Sequence, residues 1–420
     1  MVKSRHNIET IAVRIRTETS SHVRLEHVVG EAVPRTQIGP RRNGADRPQD
    51  TQGPIDPVAA AARGWESPLE FPPLSAATVP GDRVAIAVDA DVPQAADIVR
   101  GTVESLQRAG IEPGAISIVT TSEALSQRCR DALAGNGTSD VSYVVHDPTD
   151  EQNLCLLGAT RHGALMTNRT IFDADLVLPI GVARVNDYGA FDGLFPQFTD
   201  NDTLERFRVP EPLETEEQHK ARARETSEAG WLIGAPLVMR IVPGPGETVA
   251  HVLAGDPNVV AERSHELCRR EWAWTAERRA SLVIATITGG AEAQTWPNVA
   301  RALAAAERLV DEGGAVAVCS NIDQPPGKSL GRLIGADDME RTEQRVLQDH
   351  AEDSWAAWEL ARARERGPVY FLSQLDPETV EDMGLAPVAN IDEIVRLAGR
   401  HESCVVLDDS QHAHPTVSGE

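Results

Sequence analysis

Residues Ala174 to Phe198 read ADLVLPIGVARVNDYGAFDGLFPQF, and the reading of this stretch decides the fold. Leu176 to Ile180 is an unbroken apolar run, the pattern of a strand buried on both faces of a sheet. Gly181 ends the run. A polar, glycine-spaced loop follows, carrying Asn186, Asp187, Tyr188, Gly189, Asp192 and Gly193. Ligands of open α/β sheets bind outside the carboxyl ends of the strands. This loop is therefore the first place to look for a site, against the plainer reading of a long surface connection.

Upstream, Arg83 to Val88 reads as a strand ending in Asp89-Ala90-Asp91. Pro93 opens a helix to about Ala109, which Gly110 closes. Ala115 to Val119 is the next strand, ending in Thr120-Thr121-Ser122. A helix over Glu123–Leu133 and a strand over Val141–Val145 follow. Strands alternating with helices predict a parallel sheet with helices on its faces. Leu154–Thr160 and Ala164–Asn168 predict a hairpin or strand pair. Beyond the loop come a charged helix over Glu214–Gly230 and two antiparallel strands, Leu237–Val242 and Thr248–Leu253, joined by a turn at Pro243–Gly246. A helix capped by Asp256 then runs to about Trp274.

A second α/β unit begins near Ala280. It has a strand over Ser281–Thr288 ending in Gly289-Gly290, a helix over Pro297–Glu312, a strand over Ala315–Cys319 and a helix over Asp349–Glu365. Strands at Pro368–Leu372 and Cys404–Leu407 complete it. The expected class is α/β: two Rossmann-like domains, residues 79–272 and 280–408, with largely parallel sheets and an interdomain cleft. Residues 1–60 read as a flexible arm with one short strand at Ile8–Ile15, and residues 409–420 as a polar tail.

Composition narrows the function classes. The chain has 420 residues and a formal net charge of −24, which argues against a nucleic-acid binder, since that needs a basic face. No apolar run reaches membrane-spanning length and no apolar leader opens the chain, so a cytoplasmic protein without membrane contact is expected. The expected partner is a small acid in the interdomain cleft, and a homo-oligomer is compatible with the sequence. Cys129, Cys155, Cys268, Cys319 and Cys404 are scattered, without CxxC spacing, and read as small buried hydrophobes.

The segment from His146 to Gly181, HDPTDEQNLCLLGATRHGALMTNRTIFDADLVLPIG, resembles the lactate racemase family. The resembling positions are His146-Asp147, Asp150, Leu154, Leu157-Gly158, Thr160, Gly163, Asn168 and Ala174-Asp175-Leu176. Upstream, GDRVAIAVDADVP resembles the family's first strand, with Asp89 at the acidic position and Pro93 opening the helix. Ala254-Gly255-Asp256-Pro257 and Gly289-Gly290 also match, so the resemblance runs from about Val79 to Leu407.

It implies two α/β domains with the site between them, and interconversion of 2-hydroxy-acid enantiomers. The family's cofactor is a nickel-pincer nucleotide that takes hydride from the alcohol carbon and returns it. It is attached to a loop lysine, with one histidine on the nickel and two more as acid/base groups. This chain departs from that pattern. Asn186 or Asp187 stands at the loop histidine's place. The lysines are Lys3, Lys220 and Lys328, so none lies in the loop. Thr120-Thr121-Ser122-Glu123 replaces a Thr-His-Arg signature, Val92 replaces an arginine, and no lysine follows Gly289-Gly290 in AEAQTW. The cofactor is therefore unknown, since the covalent anchor of the implied group is missing.

Among the remaining residues, Asp89, Asp187 and Asp192, with Asp91, are expected at strand ends. A close carboxylate pair separates its pKa values and supplies an acid and a base; an isolated aspartate there is more often a cap or turn former. Tyr188 is a candidate proton donor. Thr121, Ser122 and Asn186 are candidates to orient a small acid, and Arg184 is the nearest cation for its carboxylate. Gly289, Gly290, Gln294 and Trp296 are the binding candidates of the second domain. Clustered carboxylates also suit a hard divalent cation, so the metal is left open. Two functions follow: a racemase or epimerase of a small 2-hydroxy acid with altered or non-covalent cofactor use, or a catalytically inactive binding homologue of the same fold.

Overall fold

The computed structural model describes residues 14–16, 22–24, 55–135, 137–160, 163–208, 210 and 213–419. The strand expected over Ile8–Ile15 falls mostly outside them. What is described there is an antiparallel ribbon of Arg14–Arg16 with His22–Arg24. The chain divides into two compact units, an N-terminal one of Gln49–Phe207 with Glu214–Glu271, and a C-terminal one containing Arg208–Leu213 and Trp272–Glu420. No helix among the described residues is long and apolar enough to cross a membrane.

The N-terminal unit holds a six-stranded sheet in the order Thr248–Gly255, Val238–Gly244, Leu176–Val182, Val84–Val88, Ile116–Thr120, Ser142–Val145. All neighbours are parallel except the first pair, which turns at Pro243–Gly246. The three central strands have almost fully buried residues, as a sheet covered on both faces requires. On one face, Ile98, Val99, Val103 and Leu106 of the Ala95–Arg108 helix pack against Ile86, Ile118 and Leu178. The Leu154–Thr160 and Gly163–Asn168 strands form the expected hairpin.

One boundary is corrected. The end of the supposed arm is a core helix, Pro57–Glu66. Asp56 accepts from the Val58 amide, Pro57 suits the first turn, and an alanine run follows. Its Trp65 is fully buried and donates to Thr102 Oγ1 at 2.9 Å. The two helices meet at Gly101, where a Cβ would lie 2.3 Å from the Val58 carbonyl oxygen.

The C-terminal unit has a five-stranded parallel sheet in the order Ala386–Val388, Val369–Leu372, Val310–Cys319, Ala280–Thr286, Cys404–Leu407. The helix expected to reach Glu312 ends at Glu307, and Gly313-Gly314 lies inside the next strand. Gly313, at φ +74°, carries the irregular start of that strand. The helix expected over 349–365 begins at Ser354 and runs to Arg366, and a further helix, Met339–Asp349, precedes it and ends at His350 with φ +46°. The polar tail is structured as well. Ser410 and Gln411 are buried, Ser410 Oγ donates to the Thr286 carbonyl at 2.8 Å, and His414–Val417 pairs in parallel with Ala273–Ala276. Backbone carbonyls accept from Ser410 Oγ and from Gln411 Nε2, contacts that hydropathy alone does not reveal.

Candidate functional site

In the N-terminal unit the chain leaves the Val84–Val88 strand towards Ile116–Thr120 on one side. It later returns on the other side as Leu176–Val182. The order reverses between these two neighbours, which makes their carboxyl ends the topological switch point where ligands of open α/β sheets bind. Asp89 ends one strand and the loop from Ala183 leaves the other.

Apolar residues seat that loop. Phe191, Leu194 and Phe198 belong to the core under the sheet. Phe191 lies against Gly230, where a Cβ would come within 2.2 Å of the ring. The aspartates between these anchors are thereby held at the strand ends. Asp89 is buried; its Oδ1 accepts from the Asp91 amide at 3.0 Å and its Oδ2 from the Val182 amide at 3.3 Å. Gly193, at φ +95°, passes so close that a Cβ would lie 2.9 Å from Asp89 Oδ2.

A cation absent from the sequence reading holds the loop together. Arg240 lies opposite Gly181 in the strand register, with its side chain 1% exposed. Its Nη1 donates to the Asp192 carbonyl and its Nη2 to Asp187 Oδ2. Gly181 is what leaves room: a Cβ there would lie 2.6 Å from the Asp192 oxygen and 2.7 Å from Arg240 Nη1. The buried Nε of Arg240 has no hydrogen-bond partner among the described residues. Asp187 also accepts from the Gly189 amide at 3.1 Å, and Asp192 Oδ2 from the Tyr188 amide at 3.1 Å. Arg184 pairs with Asp91. An arginine inside the apolar run Leu237–Val242 was the available signal, because a buried charge requires a partner.

The electrostatics follow from burial. Loss of water pushes the Asp192 carboxyl up to about 6; Arg240 opposes the shift, and Asp187 and Asp89 add to it. Burial and then Asp91 raise Asp89, against Arg184. Burial works against the charge of Arg184, but Asp91, Asp89 and Asp192 outweigh it, and its pKa rises.

The structure thus brings Asp89, Asp91, Arg184, Asp187 and Asp192 together. The Tyr188 side chain points elsewhere, its hydroxyl on Glu214 and Arg222. Asn186 is exposed on the loop. Thr121 is exposed, and Ser122 caps the Glu123–Leu133 helix. His146 is buried with both ring nitrogens engaged, Nε2 by the Thr199 carbonyl at 2.8 Å and Nδ1 by Asn168 at 3.2 Å.

In the C-terminal unit, Gly289 turns with φ +101° and Gly290 is exposed beside it. Gln294 is a buried clamp, its Oε1 accepting from Ser320 Oγ and the Asn321 amide, each at 2.8 Å. Trp296 is buried against Phe371 and donates to the Gln324 carbonyl at 3.1 Å. Both therefore support the unit's own core. Among the described residues, no group of three or more histidine, cysteine or acidic side chains is arranged to hold a metal ion.

No family model and no curated protein matches the chain. Solved structures do. The lactate racemase apoprotein from Thermoanaerobacterium thermosaccharolyticum is 15% identical, with 94% of this chain and 98% of that chain covered and a TM-score of 0.69. A protein from Thermotoga maritima is 12% identical, with 87% and 100% covered and a TM-score of 0.63. The chain has a lactate racemase-like α/β fold.

Proposed function

We propose that this chain is an isomerase, a racemase or epimerase of a small 2-hydroxy acid, and that its reacting proton group is Asp192. The observation that carries the reading is the half-buried Asp192 carboxyl, pushed up to about 6 by loss of water, beside buried Asp89, at the switch point of a lactate racemase-like fold. A carboxyl with that pKa exchanges protons near neutral pH. It takes the C2 proton, and the electron pair rests on the substrate carboxylate. Arg184, whose acidic neighbours keep it charged, and the free buried donor Arg240 Nε suit that anion.

The residues present do not fit a lysine-linked nickel-pincer nucleotide. Lys220 is exposed and paired with Glu216 on a helix, and Lys328 pairs with Asp349 in the C-terminal unit. The loop offers carboxylates tied to Arg240, which repel the phosphate of a nucleotide and supply no imidazole.

The internal pairing of Arg240 with Asp187 and of Arg184 with Asp91 favours a second reading, a binding protein without chemistry. Single enantiomers of lactate and related 2-hydroxy acids in D2O separate the two. Proton transfer at C2 gives inversion with deuterium incorporated; inversion that keeps the original C2 proton would refute the carboxylate route. Binding without inversion or exchange would leave the second reading.

A further inference from the structure

The C-terminal unit holds a cavity formed by the faces of two helices. Met339–Asp349 reads MERTEQRVLQD and starts at the Asp338 cap, whose carboxylate accepts from the Arg341 amide at 3.0 Å. Helical spacing puts Glu340, Glu343 and Leu347 on one face of it. Ser354–Arg366 presents Trp358 and Arg362, one turn apart. The two helices pack together, with Trp358 buried in the unit's core and Leu347 partly buried against that core. These five residues and Leu213, which belongs to the same unit, line a cavity of about 410 Å³. That is room for a small organic molecule.

Charge selects the molecule. The guanidinium of Arg362 lies 4.4 Å from the Trp358 ring centroid and pairs with buried Glu307 at 3.5 Å, where Arg366 also binds at 2.9 Å. Arg362 is thus already engaged. Glu343 is half-buried, with no ion pair or hydrogen bond among the described residues. Burial and then Glu365 push its carboxyl up; Arg362 opposes this, and Glu307 and Glu340 add to it. The carboxylates acting on Glu343 outnumber the cation, and a bound positive charge offsets their repulsion.

The other walls decide what carries that charge. Leu213, Leu347 and Trp358 are apolar and offer a hydrated metal ion nothing, and no group of three or more acidic, histidine or cysteine side chains among the described residues is arranged to hold one. Arg362 already occupies the stacking position over Trp358 that a guanidinium ligand would take. An ammonium is a compact point charge that sits between two carboxylates one helical turn apart. A ligand with an ammonium head and an aliphatic body meets both kinds of wall.

We propose that this cavity is a binding site for a small aliphatic amine, its ammonium held by Glu343 and Glu340 and its alkyl chain laid against Leu213, Leu347 and Trp358. The site lies within the C-terminal unit and does not depend on the isomerase reading.

Isothermal titration calorimetry of the full chain with hexylamine tests this, with hexanol and hexanoate as neutral and anionic controls of the same length. Hexylamine should saturate a single site, hexanol should bind about tenfold more weakly or worse, and hexanoate should not bind. Affinity should rise about fourfold for each CH2 from butylamine to hexylamine, because the added carbons meet apolar walls. Glu343→Gln keeps the shape of the side chain and should weaken hexylamine about tenfold. Glu340→Gln, at the exposed position, should weaken it less. Nitrogen-15 spectra locate the bound amine: it should move the indole signal of Trp358, which Trp358→Phe identifies. Hexanol or hexanoate binding as tightly as hexylamine, unchanged binding by Glu343→Gln, or saturation without movement of the Trp358 signal would overturn the proposal. So would wild-type protein that shows no saturable binding of hexylamine.

Discussion

Replacing Asp192 with asparagine should make the N-terminal unit more stable above neutral pH, and the size of the gain follows from the site. The Asp192 carboxyl rises from 3.8 to about 6 on folding. One pKa unit is worth about 1.4 kcal/mol, so ionising this group inside the fold costs about 3 kcal/mol. The folded state holds the proton more tightly than the unfolded chain. Stability from this group is therefore complete below about pH 4 and is lost as pH rises through about 6. Asparagine keeps an oxygen to accept from the Tyr188 amide but cannot ionise.

The variant should thus exceed wild type by up to about 3 kcal/mol at pH 8, with the gap narrowing by about 1.5 kcal/mol at pH 5. Hydrogen exchange in a urea series, read on peptides covering Leu176–Val182, measures opening of this unit by itself. Parallel pH profiles for the two proteins, or a variant less stable than wild type at pH 8, would refute the assignment of a strained, ionised carboxylate. The same substitution should abolish inversion, so stability and activity would move in opposite directions.

Arg240→Ala should cost about 3–5 kcal/mol, measured by urea unfolding, because it leaves the Asp187 carboxylate buried without its partner. Gly193→Ala should cost about 1–3 kcal/mol, more than Gly234→Ala. Both have positive φ, but only at Gly193 does a Cβ meet a carboxylate, and thermal melts of the pair isolate that contact. Thr102→Val should lose about 1 kcal/mol by removing the partner of buried Trp65. Intact mass spectrometry of protein from its own host should give the mass of the bare polypeptide; an adduct on a lysine would contradict a site without a lysine-linked cofactor.

The alternation of strands and helices, the buried run Leu176–Ile180 and the loop after it were legible because periodicity and glycine placement are local properties. The two α/β sheets and the clustering of Asp89, Asp187 and Asp192 at strand ends followed from them. Gln294 and Trp296 show the limit of such reading: a glutamine and a tryptophan after a Gly-Gly turn have the composition of a binding loop, yet tertiary contacts commit both to the core. The ordered end of the chain is similar, since Ser410 and Gln411 donate to the Thr286 and Thr288 carbonyls far away in sequence.

The sequence by itself determined the class of fold, the position of the loop and the absence of a lysine within it. Only the tertiary structure decided how the loop's charges are balanced. Arg240 lies 48 residues from Asp192 and reaches it across Gly181, its partner in the sheet register. Glu214 and His219 meet Tyr188 only because the Glu216–Ile233 helix packs beside the loop. Pairings of that kind depend on strand order and helix packing, which no local pattern of residues encodes.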